Sequence, residues 1–218
     1  MRIERTADGS ATLYVPELDE HYHSVAGALT ESRHVYLECG LAHRAAMSGG
    51  HVRILEYGLG TGLDAILAWQ WARRNGRRVC YTGLELYPVP ADCIGELGLP
   101  DEAMAHEIHT APWETDCGDE LFTFRKVCTD FTDYCPGPGV ADVIFYDAFA
   151  PDKQPALWSP EHLAHVAHLL APGGVLTTYC AKGAVRRALA SSGLVTERLP
   201  GPPGGKREIL RATKPNTI

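Results

Sequence analysis

Short apolar runs alternate along the chain with longer stretches in which apolar residues recur every three or four positions. The runs predict β-strands, and the recurring positions predict amphipathic helices. Residues 140–146 are apolar at nearly every position, which is typical of a strand buried on both faces of a parallel sheet. The predicted sheet strands are residues 52–57, 79–86, 122–127, 140–146, 175–180, 194–199 and 208–213. The predicted helices are residues 63–74, 160–170 and 183–191, with short helical pieces inside 88–118.

The first 50 residues follow a different pattern. Asp8-Gly9 separates two short stretches of β-forming residues and predicts a hairpin within the first 18 residues. A helix is predicted from about residue 30 to residue 47, before Ser48-Gly49-Gly50. The sequence therefore predicts two parts. Residues 1–50 form the hairpin with a lid and helix segment, and residues 51–218 form an α/β core whose mostly parallel seven-stranded sheet has helices on both faces.

The composition is that of one globular domain. With 218 residues, of which 45% are hydrophobic, the chain can bury a core without disulfides or a structural metal. Its seven cysteines are scattered and form no Cys-x-x-Cys pair, so we expect reduced thiols in a cytoplasmic protein. No apolar run approaches the ~20 residues that span a bilayer. The N-terminus has no signal-peptide pattern, so no membrane association is expected.

Charge is unevenly distributed along the chain. The formal net charge of −7 argues against binding nucleic acid without regard to sequence. Residues 151–218 nevertheless carry a net charge of +5, whereas residues 1–150 carry −12. We predict that part of this basic surface contacts RNA phosphates, with a merely solvated surface as the alternative. The candidates for these contacts are Lys182, Arg186, Arg187, Lys206 and Arg207.

A glycine-rich loop of sequence EYGLGTG, residues 56–62, connects the first predicted core strand to a helix. Glycines allow a ligand to approach the backbone closely. The third glycine comes one residue earlier than in the dinucleotide fingerprint, and the Gly-Lys-Ser/Thr of a phosphate loop is absent. The loop therefore favours a ligand that lies against it without a pyrophosphate. The predicted ligand contacts are Glu56, Gly58, Gly60 and Gly62.

Acidic residues follow the next three predicted strands. Glu85 ends the second strand, 23 residues after the glycine loop, where a carboxylate can accept hydrogen bonds from both hydroxyls of a ribose. Asp130 follows the third strand and can accept a hydrogen bond from an adenine amino group, with Phe131 against the ring. Asp147 ends the fourth strand. Open α/β sheets bind ligands outside the carboxyl ends of their strands. This pattern resembles the class I S-adenosylmethionine-dependent methyltransferases.

The segment of residues 147–158 combines an acid, two aromatic residues and two prolines in a stiff loop at the predicted reaction centre. An aromatic wall that includes Phe149 can surround a cation, and Asp147 can supply the counter-charge. A primary amine that attacks a sulfonium methyl group acquires positive charge. A neighbouring carboxylate stabilises that charge and can accept the surplus proton. Asp147 and Phe149 are therefore the predicted catalytic residues, with a rigid structural turn as the alternative.

Several segments together resemble the MnmC-type methyltransferase family, most closely its stand-alone, MnmD-like form. They are the glycine loop and the sequences YTGLEL (81–86), DAFAPDKQPALW (147–158), YCAKG (179–183) and PGPPGGKREIL (200–210). The resemblance implies a Rossmann-like class I fold with S-adenosylmethionine as cofactor. It also implies methylation of the 5-aminomethyl-2-thiouridine wobble base of tRNA, which gives 5-methylaminomethyl-2-thiouridine.

The resemblance also implies roles for single residues. Gly58, Gly60 and Gly62 would line the cofactor, Glu85 would hold its ribose, Asp130 would lie at the adenine, and Asp147 would meet the methionine end and the incoming amine. A lid or substrate wall would be formed by Tyr22, His23, Ser24 and Glu31. One departure from the family is Asp64, where asparagine is frequent, and another is Gly204-Gly205, where a single glycine is usual.

The partners that the resemblance implies are the anticodon stem-loop of tRNA and a separate oxidase or related enzyme that acts first. We expect the chain to be too short to contain an oxidase domain itself. Two alternatives stay open. One is an aminopropyltransferase of the spermidine synthase type, and the other is a non-catalytic module that binds tRNA or a nucleoside. A metal site at His21-x-His23 is not expected, since a third ligand cannot be placed.

Overall fold

The computed structural model describes residues 1–216, apart from the side chains of residues 91 and 92. Its strands are Arg2–Arg5 (β1), Ala11–Val15 (β2), Glu20–His21 (β3), Val52–Tyr57 (β4), Val79–Glu85 (β5), Cys117–Gly118 (β6), Phe122–Cys128 (β7), Ala141–Tyr146 (β8), Leu170–Thr178 (β9), Val195–Pro200 (β10) and Glu208–Thr213 (β11). Its α-helices are Ala28–Ser32 (α1), His43–Met47 (α2), Leu63–Asn75 (α3), Ala91–Glu96 (α4), Glu102–Thr110 (α5), Pro160–Leu169 (α6) and Gly183–Ser191 (α7). A π-helix covers Arg33–Ala42, and a 3-10 helix covers Pro155–Trp158. None of these helices is long and apolar enough to cross a bilayer.

The core sheet has the strand order β10-β11-β9-β8-β4-β5-β7-β6. Neighbouring strands from β9 to β7 pair in parallel, whereas the pairs β9–β11, β10–β11 and β6–β7 are antiparallel. The predicted mostly parallel sheet is therefore confirmed, but the predicted count of seven strands is wrong. The eighth strand, Cys117–Gly118, pairs with Phe124 and Thr123. Two residues are too few to show the alternation by which a strand is recognised in a sequence.

Successive residues of the central strands face two separate hydrophobic cores. Ile54 and Val143 pack in one core with α3 and α5, whereas Leu55 and Ile144 pack in the other with α6 and α7. Neighbouring strand residues point to opposite faces of a sheet, so burial of both sets explains the continuous apolar runs. Helices cover both faces of the sheet, as predicted.

Parallel pairing brings the carboxyl ends of three central strands to one level. Tyr57, the last residue of β4, lies opposite Leu84 of β5 and Tyr146 of β8. The glycine loop, Glu85 and Asp147 follow directly in the three strands. Register alone therefore places the loop and two of the predicted acids at the same edge of the sheet.

The N-terminal region contains a three-stranded antiparallel sheet and a long helical segment. The predicted hairpin is present as β1 and β2, and the short β3 adds a third strand against Tyr14 and Val15. Where the sequence predicts a helix over residues 30–47, the structure has a helical segment over residues 28–47. The middle part of this segment is π-helical. From this π-helix, the ring of Tyr36 packs on Phe145 with 5.3 Å between ring centroids. The helical segment thus covers the centre of the sheet.

Strand β9 begins five residues earlier than predicted. The sequence predicts that Ala171-Pro172-Gly173-Gly174 separates a helix from a strand at residue 175, but the strand starts at Leu170. The pairing of β8 with β9 shifts from Ala141 opposite Leu170 to Val143 opposite Val175. Proline and glycine are tolerated at such bulges, so the segment that resembles a helix stop lies inside a strand.

Candidate active site

Two adjoining cavities lie at the carboxyl edge of the sheet. The first has a volume of about 400 Å³ and the second of about 300 Å³. Of the predicted cofactor contacts, all except Gly62 line the first cavity. The residues that line both cavities are Tyr22, His23, Asp147, Ala148 and Phe149. The structure thus brings together most of the predicted site, with the two predicted catalytic residues where the cavities meet.

The glycine loop requires glycine for two reasons. Gly58, Gly60 and Gly62 have φ values of 98°, 51° and 75°, which other residues rarely adopt. A Cβ atom at Gly58 would lie 2.8 Å from the backbone oxygen of Asp147, and one at Gly60 would lie 2.8 Å from the ring of Tyr22. The loop therefore packs directly against the predicted catalytic residue and the predicted lid. Gly62 instead precedes α3.

The Glu85 carboxylate is held by the backbone on both oxygens. Its Oε2 accepts a hydrogen bond from the Gly60 N–H at 3.0 Å, and its Oε1 accepts one from the Tyr87 N–H at 2.9 Å. The side chain is buried, and burial raises the pKa of Glu85. Each carboxylate oxygen has further acceptor capacity, so the group can still accept two hydroxyl hydrogens from a ligand.

Asp130 and Phe131 lie together on the wall of the first cavity. The Asp130 Oδ1 accepts hydrogen bonds from the Thr132 hydroxyl at 2.7 Å and the Thr132 backbone N–H at 2.8 Å, which lower the pKa of Asp130. The buried Phe131 ring lies edge-on to Tyr57, with 5.5 Å between centroids. An ionised acceptor beside an apolar ring suits the amino group and face of an adenine. That assignment stays a prediction.

Among the described residues, the Asp147 side chain has one hydrogen bond, which the Tyr36 hydroxyl donates to its Oδ1 at 2.5 Å. Burial raises the pKa of Asp147 to about 7, and the hydrogen bond from Tyr36 opposes that rise. The carboxyl can therefore gain or lose a proton near neutral pH, which is what proton transfer in a site requires. Sequence reasoning missed Tyr36, because a residue 111 positions away on a helix carries no signal of this contact.

Two more acids are buried beside the first cavity. Glu56 is 1% exposed and Asp64 is 3% exposed. The Glu56 Oε2 and the Asp64 Oδ1 have no hydrogen-bond partner among the described residues. Burial raises the pKa of both carboxyls well above their usual values, and the charge of Asp64 raises that of Glu56 further. Asp64 lies two residues after the glycine loop. The sequence does not predict it as a site residue, although the family resemblance indicates altered cofactor contacts at this position.

The predicted lid residues surround the place where the cavities meet. The Tyr22 ring lies edge-on to Phe149, with 5.3 Å between centroids. Burial lowers the pKa of His23 to about 4, so its imidazole is neutral at physiological pH. The Ser24 N–H donates a hydrogen bond to the Glu31 Oε2 at 2.9 Å, and the buried Glu31 lines the second cavity.

The loop of residues 147–158 is held by two of its own side chains and by Tyr179. The Trp158 Nε1 donates a hydrogen bond to the Phe149 backbone oxygen at 2.8 Å, and the Gln154 Oε1 accepts one from the Phe149 N–H at 3.0 Å. The Tyr179 hydroxyl donates to the backbone oxygen of the residue before Phe149, at 2.8 Å. These bonds fix the backbone around Phe149, whose ring forms part of both cavity walls.

The predicted RNA contacts occupy different environments. Lys206 lines the second cavity, where its Nζ lies 3.3 Å from the Glu31 Oε1 and 3.9 Å from the centroid of the Tyr179 ring. Lys182 forms an ion pair at 2.9 Å with Asp152 in the loop after β8. The candidates that line neither cavity are Lys182, Arg186, Arg187 and Arg207. Only Lys206 is therefore a direct part of the site.

The two N-terminal histidines contact protein groups. The His21 Nε2 lies 2.9 Å from the Glu4 Oε2, and the His23 N–H of the backbone donates to the Thr12 Oγ1 at 2.9 Å. Among the side chains that the structure describes, no group of three or more His, Cys, Asp or Glu residues could hold a metal ion. These contacts give His21 and His23 structural partners beside the cavities.

Sequence comparisons identify related methyltransferases. Residues 114–215 match a family model described as S-adenosyl-L-methionine-dependent methyltransferase. The chain is 36% identical over 210 residues to the tRNA 5-methylaminomethyl-2-thiouridine biosynthesis bifunctional protein MnmC of Pseudomonas fluorescens (strain Pf0-1), a match that covers 88% of this chain and 32% of that protein. It is 32% identical over 226 residues to the MnmC of Delftia acidovorans, a match that covers 96% of this chain and 34% of that protein. The chain spans about a third of the length of these curated relatives.

Structural comparisons agree on the fold. MnmC2 from Aquifex aeolicus has a TM-score of 0.79 and 24% identity, covering 100% of this chain and 72% of its own. The second structure is S-adenosylmethionine-bound CalS10, an amino pentose methyltransferase from Micromonospora echinaspora. It has a TM-score of 0.51 and 15% identity, and the match covers 79% of this chain and 87% of the CalS10 chain. These likenesses confirm the predicted class I methyltransferase fold. The family model and the relatives also confirm the resemblance to MnmC-type methyltransferases.

Proposed function

We propose that this protein transfers a methyl group from S-adenosylmethionine to the exocyclic amine of the 5-aminomethyl-2-thiouridine wobble base of tRNA. The product is 5-methylaminomethyl-2-thiouridine. The observation that carries the proposal is the position of Asp147, whose side chain lies where the two cavities meet. A methyl donor in the first cavity and an amine in the second would come together beside this carboxyl.

The first cavity suits the cofactor in shape and in its hydrogen-bonding groups. Gly58 and Gly60 leave backbone rather than side chains against the ligand. Glu85 would accept from the ribose hydroxyls, while Asp130 and Phe131 would hold the adenine. When bound, S-adenosylmethionine supplies an electrophilic methyl group on a sulfonium. Every other part of the proposed reaction depends on side chains of this chain.

Asp147 would accept the proton that the substrate amine carries. A primary amine carries a proton at neutral pH, and its nitrogen cannot attack until that proton leaves. Because the pKa of Asp147 is about 7, its carboxylate can accept the proton. Once that proton has passed to solvent, the ionised carboxylate would stabilise the positive charge that the nitrogen acquires as it takes the methyl group from the sulfonium, whose C–S bond breaks and leaves its electron pair on sulfur. The hydrogen bond from Tyr36 orients the carboxyl, and Phe149 and Tyr22 exclude water beside it.

The second cavity suits a pyrimidine base. Tyr22, Phe149 and Tyr179 give it aromatic walls, on which a base can stack. Glu31 and Lys206 add one acceptor and one donor for the polar edge of the base. Enzymes that modify a base take it out of its stack to reach it. We therefore propose that the wobble base turns out of the anticodon loop into this cavity.

The remaining partners follow from the proposed substrate. The anticodon stem-loop would lie across the rim of the second cavity, near Lys206 and Arg207. Lys182 would lie on the side of the site formed by the loop of residues 147–158. The aminomethyl group must be exposed on the base first, and we assign that step to a separate oxidase or related enzyme. Like its tRNA substrate, the protein would act in the cytoplasm.

An aminopropyltransferase of the spermidine synthase type has less support. A polyamine substrate would meet the Lys206 ammonium in the second cavity, which repels it. The family model and the named relatives also favour methyl transfer. A module that only binds its ligand would have no use for a buried carboxyl that titrates near neutral pH at the junction of two cavities.

The decisive experiment measures transfer of labelled methyl from S-adenosylmethionine to bulk tRNA from cells that lack this protein, followed by nucleoside mass analysis. We expect label in 5-methylaminomethyl-2-thiouridine with the unchanged protein and almost none with Asp147→Asn. Propylamine transfer from the decarboxylated cofactor to putrescine, without label on tRNA, would replace the proposal with the aminopropyltransferase. Methylation of another nucleoside would overturn the proposed substrate.

A further inference from the structure

Two aromatic rings form part of the wall where the two cavities meet. Tyr22 and Phe149 each line both cavities, and so does Asp147. The two rings lie edge to face, with 5.3 Å between their centroids and an angle of 80° between their planes. A methyl group that passes from a donor in the first cavity to an amine in the second therefore crosses beside these rings.

The ring of Tyr22 is held against the glycine loop. A Cβ atom at Gly60 would lie 2.8 Å from the Tyr22 Cδ1 and 3.1 Å from its Cε1, so no side chain separates the loop backbone from the ring. The Tyr22 backbone N–H donates a hydrogen bond to the Leu13 oxygen at 2.9 Å, which fixes the residue to β2. The ring therefore has no room to withdraw toward the glycine loop.

Phe149 is fixed from the opposite part of the chain. Its N–H donates to the Gln154 Oε1, its oxygen accepts from the buried Trp158, and the Tyr179 hydroxyl holds the residue before it. Closely packed groups accept added volume only by shifts that cost free energy. The junction of the two cavities therefore resists widening on both sides.

An amine nitrogen that reacts at this junction has four directions to satisfy. Its lone pair must point at the methyl group of the cofactor, and its bond to the base must point into the second cavity. Of its two N–H bonds, one would meet the Asp147 carboxylate, and the other would face Tyr22 and Phe149. After one transfer, a methyl group replaces one hydrogen. A second attack would then place that methyl group on the carboxylate, at the loss of a charge-assisted hydrogen bond, or against the fixed rings.

We propose that Tyr22 and Phe149 limit the reaction to one methyl transfer for each base, because their rings leave room for a hydrogen on the reacting nitrogen and none for a methyl group. The inference rests on the proposed function, whose substrate amine it concerns. With either ring removed, the secondary amine would first lose its proton to solvent through Asp147. Its nitrogen would then form a second N–CH₃ bond with the methyl group of a fresh S-adenosylmethionine, whose C–S bond breaks with its electron pair left on sulfur. The product would be a tertiary ammonium.

Extended reactions with excess S-adenosylmethionine test the limit, with tRNA from cells that lack this protein and nucleoside mass analysis of the products. The unchanged protein should stop at 5-methylaminomethyl-2-thiouridine. Tyr22→Ala and Phe149→Ala should slow the first transfer and raise the ratio of 5-dimethylaminomethyl-2-thiouridine to the monomethylated base by about 10- to 100-fold, the change in rate expected when overpacking is relieved. Tyr22→Phe is the matched control. It keeps the ring and loses only the hydroxyl, so it should produce the monomethylated base alone.

Binding of methylated anticodon stem-loops tests the same limit without turnover. The protein is saturated with S-adenosylhomocysteine, which lacks the transferable methyl group and so leaves room for one methyl group on the amine. The unchanged protein and Tyr22→Phe should bind a stem-loop with the dimethylated base about tenfold or more weakly than one with the monomethylated base. Tyr22→Ala and Phe149→Ala should bind the two stem-loops within about twofold of each other, since the second methyl group then has space.

The outcomes separate the inference from the proposed function. Equal binding of the two stem-loops by the unchanged protein would overturn the inference. So would alanine variants that transfer methyl groups but stop at one, or that retain the difference in affinity. Where a variant transfers no methyl group, the binding comparison decides. All of these results leave the proposed function intact, whereas absence of 5-methylaminomethyl-2-thiouridine in reactions of the unchanged protein would overturn both.

Discussion

The two cavities are built from different kinds of structure. The first is lined largely by residues at the carboxyl ends of adjacent parallel strands, so strand register fixes their positions. The second is lined by residues 20–25, Glu31, residues 147–150, Tyr179 and Lys206, which only tertiary packing brings together. A cavity of the first kind depends on the sheet, so substitutions outside the sheet do little to change its position. A cavity of the second kind can change by substitutions in surface segments that leave the sheet intact.

The largest predicted effect is at Asp147, the acid that the two cavities share. Asp147→Asn keeps the size of the side chain but removes its charge and its capacity to accept a proton. We expect the single-turnover rate of methyl transfer to fall by about 10²–10⁴-fold, the usual contribution of a positioned acid or base. Calorimetry should find nearly unchanged cofactor affinity. Asp152→Asn in the same loop is the control, and a variant at Asp147 with more than a tenth of the activity would contradict this role.

Glu85 and Glu31 provide a matched test of the separation between the cavities. Glu85→Ala should weaken cofactor binding by roughly 1.5–3 kcal/mol, the range for hydrogen bonds to a charged group. Glu31→Ala should raise the KM for tRNA and leave the cofactor dissociation constant nearly unchanged, since Glu31 lines only the second cavity. Binding calorimetry and steady-state kinetics on both variants measure the contrast. Equal losses of cofactor affinity would show that the cavities do not act separately.

The pH dependence of the reaction should report the Tyr36–Asp147 contact. The hydrogen bond from Tyr36 favours ionised Asp147 and lowers its pKa, so Tyr36→Phe should raise that pKa above about 7. The reaction requires the ionised form, so activity falls as the pH decreases through this pKa. We therefore expect the acidic limb of kcat/KM to move to higher pH by about one unit, equivalent to about 1.4 kcal/mol. If the acidic limb of kcat/KM does not move in Tyr36→Phe, the limb reports the pKa of a group other than Asp147.

Most of the first cavity could be predicted because strand ends leave a local signal. A buried apolar run shows where a strand ends, and parallel pairing brings such ends together, so Glu85, Asp130 and Asp147 could be placed from the sequence. The same logic could have included Asp64, which lies two residues after the glycine loop in the first turn of α3. Tyr36 lay beyond this reasoning, because only the packing of its helix on the sheet brings it to Asp147.

The second cavity could be predicted only in part. Tyr22 and His23 were assigned to a lid through the family resemblance, and both line the cavity. The contacts of Lys206 with Glu31 and Tyr179 join three segments that are remote in the sequence, and no periodicity encodes them. The sequence predicts neither the short strand Cys117–Gly118 nor the bulge in β9, for another reason. Pairing with neighbouring strands overrides the local preference of glycine and proline in both places.

The smallest predicted effects distinguish two adjacent cations. Arg207 is exposed and lines neither cavity, whereas Lys206 lies between Glu31 and Tyr179 inside the second one. If Arg207 contacts a phosphate, Arg207→Gln should weaken tRNA binding and reduce the slope of log K against log salt by about 1. Lys206→Gln should leave that slope unchanged and raise the KM of the tRNA, because it acts on the base rather than the backbone.

Salt titrations of tRNA binding for both variants decide between these roles. Arg78→Gln serves as the control, since this exposed arginine precedes β5 at the opposite edge of the sheet. A reduced slope for Lys206→Gln would place its ammonium on a phosphate and outside the base cavity in the complex. An unchanged slope for Arg207→Gln would remove the C-terminal loop from the docking surface. In that case RNA would approach from the side of Lys182, which forms an ion pair with Asp152 of the loop after Asp147.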